Sequence, residues 1–232
     1  MFVIEGIRAV EELARSPVQP VGVLVSSELA LHSRGVALRD TLAARGVEIA
    51  SVSAAEFETA AETESPQGII AIAATPKRTL DHHVDADPAR ILVLDAVQDP
   101  GNVGTILRTA AGLGVTATVA LPGTVDLWNA KVVRSSMGAH FLHPAMHCTW
   151  DEVRLFLDRS DVPLWAADAR GAPASRDTAP RRLALAVGNE GNGLSEPVLG
   201  RSERSVSLPL ASGVESLNVA VAAAILLYEL RP

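Results

Sequence analysis

Residues 91–120 read Ile91-Leu-Val-Leu-Asp-Ala-Val-Gln-Asp-Pro-Gly-Asn-Val-Gly-Thr-Ile-Leu-Arg-Thr-Ala-Ala-Gly-Leu-Gly-Val-Thr-Ala-Thr-Val-Ala120. The four apolar residues 91–94 have the length and composition of a fully buried strand. Asp99-Pro100-Gly101-Asn102 carries turn chemistry. From Val103 to Leu113 apolar residues recur at helical spacing, and Gly114 supplies the stop. Residues 116–120 then read as a second strand. A strand, a helix and a strand within thirty residues form a βαβ unit, which implies a parallel sheet.

The pattern continues on both sides. Toward the C-terminus, strands are expected at 164–167 and 183–187. A last helix is expected at 216–229, with Val219, Ala222, Ala223, Leu226 and Leu227 available for packing. Strands alternating with helices predict an α/β chain whose sheet is mainly parallel and covered on both faces. Toward the N-terminus, residues 76–90 hold Pro76, Lys77, Arg78, His82, His83 and Pro88 with little apolar periodicity, and read as a linker, with a surface loop inside one domain as the alternative. Before them lies a second, smaller α/β unit, residues 1–75. It has helical spacing at Ile7, Val10, Leu13 and Ala14, and again from Val36 to Ala43. A short helix is expected around Phe57, and strands at 21–25, 47–49 and 68–73.

The whole chain bounds the function. Of 232 residues, 48% are hydrophobic, so core material is ample. No run of about twenty apolar residues occurs, which argues against a membrane-spanning helix. The opening MFVIEGIRAVEEL lacks the pattern of a secretory signal, and the single Cys148 allows no internal disulfide. A cytoplasmic protein is expected. The net charge of −7 argues against holding a polyanion by bulk electrostatics, so any such partner requires a local basic patch.

Three glycine-bearing turns follow strands or open helices: Asp99 to Ala110, Gly188-Asn-Glu-Gly-Asn-Gly-Leu-Ser195, and Leu208 to Ala220. In open α/β sheets, ligands bind beyond the carboxyl ends of the strands. There glycine lets a backbone approach closely, and helix starts offer free N–H groups. Each turn taken alone also has a purely structural reading. Gly188, Gly191 and Gly193 do not make GxGxxG, and no glycine precedes Lys-Ser or Lys-Thr, which weakens dehydrogenase and P-loop readings. The polar content marks candidate site residues: Asn102 in the first turn, Arg108 inside an otherwise apolar helix, Glu190 between glycines, and Ser216 and Asn218 at a helix start, where capping is the ordinary explanation.

Together the three turns resemble the three sequence motifs of the SpoU (TrmH-type) RNA 2′-O-methyltransferases, within the SPOUT superfamily. The first is carried by Asn102, Gly104 and Arg108, the second by Gly188-Asn-Glu-Gly191, the third by Leu208-Pro and Ser216-Leu-Asn218; Lys131 to Ala139 is similar to the segment between the first two. Phe2 to Gly6 and Ser65-Pro-Gln-Gly68 resemble the family's accessory RNA-binding domain.

The resemblance implies a catalytic SPOUT domain at 91–232 with a deep trefoil knot, an exception to the rarity of knots. It also implies a homodimer and S-adenosylmethionine as cofactor, contacted by Gly188, Leu208 and Leu217. The implied reaction is methylation of a ribose 2′-hydroxyl in structured RNA, ribosomal in preference to transfer RNA. The alternative within the same fold is a non-catalytic RNA-binding protein. Arg108 would stand at the reacting hydroxyl, as its base or as stabiliser of the forming alkoxide. Asn102, Glu190, Ser216 and Asn218 would orient the nucleotide, and Arg134 is a candidate RNA contact. His140, His143, His147 and Cys148 lie close in sequence without a recognised ligand spacing, so no metal is expected.

Overall fold

The computed structural model describes residues 1–231. It resolves into two compact units, Met1–Lys77 with Trp128–Leu142, and Arg78–Leu127 with His143–Pro232.

The first unit begins with β1 (Phe2–Glu5), α1 (Ile7–Arg15) and β2 (Pro20–Val25), then α2 (Ser33–Ala44), β3 (Glu48–Ser51), α3 (Ala54–Ala60) and β4 (Ile69–Ala73). The sheet order is β1-β4-β2-β3, with β4 antiparallel to both neighbours and β2 parallel to β3. Phe2, Ile4, Val10, Leu13, Leu42 and Ile69 are buried in one cluster. That burial is what the helical and alternating apolar spacing dictates. The Ser53 hydroxyl accepts from the N–H of Glu56, and the Glu56 carboxylate returns a bond to Ser53 N–H, so a capping box starts α3.

The second unit opens at residue 78. Within the stretch read as a linker, Leu80–His83 form a 3-10 turn with Leu80 buried, and β5 (Ala89–Asp95) already includes its last two residues. Next come α4 (Pro100–Gly112) and β6 (Ala117–Ala120). α4 starts three residues before the expected Val103. Asp99 is its N-cap, accepting from Asn102 N–H at 2.7 Å, and Pro100 takes the first helical position. Aspartate followed by proline is a helix start as much as a turn, because proline lacks the N–H that a first helical residue leaves unpaired. Asn102 therefore sits in the first turn of α4.

After β6 the chain completes the first unit with α5 (Ala130–Ser135) and α6 (Ala139–Leu142). Trp128 lies between Phe2 and His140, with ring centroids at 4.4 and 4.0 Å. The second unit resumes with β7 (Ala145–His147), α7 (Trp150–Ser160), β8 (Leu164–Pro173), β9 (Arg182–Gly188), α8 (Glu196–Arg201), β10 (Arg204–Ser207) and α9 (Val219–Glu229). Its sheet runs β10-β8-β9-β5-β6-β7, and every pairing is parallel. All seven residues of β5 are buried, as a central strand covered on both faces requires. The last helix begins at Val219 rather than Ser216. Asn218 is its N-cap, accepting from Ala220 N–H at 2.9 Å and Val221 N–H at 3.3 Å. Seven of these elements, β1, α5, α6, β7, α7, α8 and β10, were not expected from the sequence. α7 is announced by the capping box Thr149-x-x-Glu152, and β10 is a short four-residue strand.

Two of the histidines that raised a metal reading hydrogen-bond within the second unit. His143 is buried, with Nε2 2.7 Å from the Thr118 hydroxyl, and His147 Nε2 accepts from Leu127 N–H at 3.1 Å. Burial pushes the Cys148 thiol up to about 11, aided by Glu152. Burial, reinforced by Arg78 and His83, depresses the His143 imidazole to about 4. An unfolded histidine protonates near 6.5, so between those values the unfolded chain binds a proton that the folded chain excludes. Stability is complete above pH 6.5 and falls by about 3 kcal/mol as pH drops toward 4. Urea unfolding of His143→Gln across pH 4–7 should show a flatter dependence than the parent chain; equal slopes would assign the acid sensitivity elsewhere.

Candidate active site

A cavity of about 480 Å³ opens at the carboxyl ends of β9 and β10, against the middle of β8, within the second unit. That volume falls in the range of small-molecule sites. Its wall draws on Ala167–Ala169 of β8, Gly188 and the loop after it, Leu208, and residues 215–219 at the start of α9. Apolar surface comes from Val187, Leu208, Leu217 and Leu226, and polar groups from Glu190, Ser216 and Asn218.

The loop after β9 explains the second motif. Asn189 and Gly193 exchange two backbone hydrogen bonds, at 2.9 and 3.0 Å. The Asn189 side chain accepts from Gly191 and Asn192 N–H, both at 2.9 Å, and donates to the Ala96 carbonyl at 2.9 Å. This Asx-turn folds the loop back on β9. A Cβ on Gly188 would lie 2.3 Å from the Gly193 carbonyl carbon and 2.5 Å from Leu194 N. Glycine is required there by backbone against backbone, whatever the cavity holds. The buried Asp95 carboxylate, at the end of β5, accepts from Ser195 N–H at 2.7 Å and fixes the far end of the loop.

One side chain from each motif meets at the rim. Asn218 Nδ2 donates to Asn102 Oδ1 at 3.0 Å, and Asn102 Nδ2 donates to Glu190 Oε1 at 3.0 Å. Burial acts to raise the Glu190 carboxyl, but the Asn102 amide and the N–H groups of Glu190, Gln98 and Asp99 outweigh it and hold the carboxyl below its ordinary value. Glu190 is thus an anion oriented by two amides in series.

The structure brings Gly188, Glu190, Leu208, Ser216, Leu217 and Asn218 together around the cavity, and Asn102 joins them through hydrogen bonds. It does not bring Arg108 to the cavity wall. Arg108 stands on the exposed face of α4, its side chain without an ion pair or hydrogen bond among the described residues. Arg134 is on α5, in the first unit. Sequence reasoning missed Asp168, which lines the cavity and is held by Arg170 Nη2 at 3.1 Å, and Asn189, the organiser of the loop. An asparagine ahead of paired glycines is a legible Asx-turn signal; for Asp168 the sequence offers none.

A sequence profile of the SpoU rRNA methylase family matches residues 89–228. The chain belongs to this family. A profile of the MRM3-like substrate binding domain matches residues 1–71. Among relatives, the chain is 37% identical over 231 residues to the 23S rRNA (guanosine(2553)-2′-O)-methyltransferase RlmP of Bacillus subtilis, covering 99% of this chain and 88% of that one. Among solved structures, it is similar to the SpoU methyltransferase AviRb from Streptomyces viridochromogenes in complex with AdoMet: TM-score 0.89, 25% identity, 98% of this chain and 88% of that one. An RNA 2′-O ribose methyltransferase is similar with TM-score 0.80 and 32% identity over 98% of this chain and 86% of its own. The SpoU family thus spans both units of the chain.

Gly188→Ala should lower the unfolding free energy by about 1–3 kcal/mol, since the loop backbone has to move. Gly193→Ala, strained only by its positive φ, should cost about 1 kcal/mol. Urea midpoints would rank the two, and a Gly188→Ala midpoint equal to wild type would show that the loop yields freely.

Proposed function

We propose that this chain transfers the methyl group of S-adenosylmethionine to a ribose 2′-hydroxyl in structured RNA, ribosomal RNA of the 23S type. The observation that carries this reading is the hydrogen-bonded chain Asn218–Asn102–Glu190, one residue per motif, at the rim of a nucleoside-sized cavity. In this reading residues 91–232 are the catalytic domain, with a trefoil knot, residues 1–75 bind RNA, and residues 76–90 join them in a cytoplasmic enzyme. Transfer RNA is the alternative substrate.

The residues present fit the cofactor. Val187, Leu208 and Leu217 give apolar walls for a flat ring, while the backbone of Gly188 and Leu208 offers polar atoms without bulky side chains. When bound, S-adenosylmethionine supplies an electrophilic methyl group on a sulfonium. The ribose hydroxyl would have to be held beside that methyl group, with its proton drawn off to solvent or to a basic group next to it. Positioning supplies much of the rate. Glu190, Asn102, Asn218 and Ser216 orient the nucleotide, their amides and carboxylate already fixed before substrate arrives. Arg108 takes up the hydroxyl proton or stabilises the developing alkoxide; the reluctance of a guanidinium to lose its own proton favours stabilisation.

A homodimer accounts for two features of the second unit. Val221, Ile225 and Tyr228 form an exposed apolar stripe on α9, at 47, 39 and 51% exposure, spaced by four and three residues along one helix face. The Arg108 side chain also makes no ion pair or hydrogen bond among the described residues. A second subunit covering α9 would bury the first feature and could use the second.

Incubation with radiolabelled S-adenosylmethionine and separate pools of unmodified ribosomal and transfer RNA should label a 2′-O-methylated nucleotide in the ribosomal pool. Labelling of transfer RNA alone would reassign the substrate; no labelling and no calorimetric binding of the cofactor would leave a non-catalytic RNA-binding protein. Arg108→Ala should lose at least about 100-fold in kcat while binding the cofactor normally, and full turnover would remove Arg108 from the mechanism. Ile225→Glu with Tyr228→Glu should convert the dimer to a monomer in sedimentation; an unchanged mass would place the interface elsewhere.

A further inference from the structure

Residues 1–76 hold ten acidic residues, five arginines and no lysine, an unfavourable balance for a domain that meets RNA. The charges are segregated. All five arginines lie on two helices or at their ends: Arg8 and Arg15 on α1, Arg34 and Arg39 on α2, and Arg45 at the C-cap of α2. From residue 46 to residue 76 there are five glutamates and no cation.

The acids on those two helices are already engaged. Glu11 accepts both Nε and Nη2 of Arg34, Glu12 lies 3.7 Å from Arg15, and Asp40 lies 2.7 Å from Arg39. Arg45 donates to the Ala14 carbonyl at 2.5 Å, which ties the end of α2 to the end of α1. The side chains of Arg8 and His32 are exposed and make no ion pair or hydrogen bond among the described residues. Between the two helices lie two adjoining hollows that share Arg34. One, of about 360 Å³, is lined by Arg8, His32, Ser33 and Gln67; the other, of about 260 Å³, by Arg15, Thr41 and Arg45. Arg8 and Arg15 are two helical turns apart, about 10 Å along α1.

We infer that the groove between α1 and α2 is the face on which the first unit receives the phosphate backbone of the RNA, with Arg8, Arg15, Arg45 and His32 as contacts and the Arg34–Glu11 pair as scaffold. This rests on the proposed function and names the surface that serves it. Forked guanidinium donors match phosphate oxygens, and repulsion from the glutamates of residues 46–76 disfavours approach by β3, α3 and the loop after it. The groove positions RNA without reading its sequence, because phosphate contacts carry no base information.

The test uses the full chain. Arg8→Glu with Arg15→Glu is compared with Arg154→Glu plus Arg159→Glu, an equal charge change on α7 of the second unit. Filter binding of ribosomal RNA fragments is followed against salt. The α1 double variant should bind at least about 10-fold more weakly at low salt and lose about one to two units of salt slope. Its KM for RNA should rise with kcat within about two-fold and with unchanged calorimetric affinity for S-adenosylmethionine. Loss of RNA affinity no greater than in the α7 control, or a fall in kcat at unchanged KM, would overturn the inference. So would displacement of RNA by polyglutamate as effective as by RNA of equal charge, which would point to an acidic protein partner. If wild type methylates no RNA yet binds it through this groove, the groove stands and the proposed reaction falls.

Discussion

A six-stranded parallel sheet buried on both faces leaves only its strand ends for polar chemistry. Every residue of β5 is buried, and β9 is nearly as covered. Helices take both faces, so a ligand reaches this sheet only where strands stop and loops begin. The cavity at the ends of β9 and β10 follows from that constraint. The glycines and asparagines in the loops follow from it too, since those loops must fold back sharply over the strands they leave.

The loops are organised before any ligand arrives. Gly188 lacks a side chain because the backbone of Gly193 and Leu194 crosses within van der Waals distance of where a Cβ would sit. Asn189 supplies the bonds that hold that crossing, and Asp95 anchors its end. With the loop fixed, Glu190 is presented to Asn102, and Asn102 to Asn218. Each of these side chains uses its amide or carboxylate on a neighbour, so the rim is rigid at little entropic cost to the later binding step. In the SpoU family such preorganisation is what methyl transfer to a weak nucleophile calls for.

The first unit solves a different problem. Its composition is acidic, yet its arginines are concentrated on α1 and α2, and the acids there are paired internally. Net charge is therefore a poor guide to what such a domain can hold; the placement of charges on the two helices is the better one.

The sequence by itself determined the α/β class, the parallel sheet and most helices and strands, because the periods 2 and 3.6 are written into apolar spacing from Ile7 to Leu227. It also pointed to six of the residues around the cavity: Glu190, Ser216 and Asn218 from their places in glycine-bearing turns, and Gly188, Leu208 and Leu217 through the resemblance to the SpoU motifs. Boundaries were less legible. Asp99-Pro100 opens α4 where a turn was expected, as capping and turn chemistry use the same residues. The tertiary structure alone decided which residues meet. Asn102 and Glu190 are 88 residues apart and Asn102 and Asn218 are 116 apart, so no local rule could pair them. It alone revealed Asp168, whose place in the wall depends on strand order, and the membership of Trp128–Leu142 in the first unit. Spacing encodes what a segment does to its own neighbours. Contacts between distant segments arise only when the sheet order is fixed, and that is a property of the whole packed core.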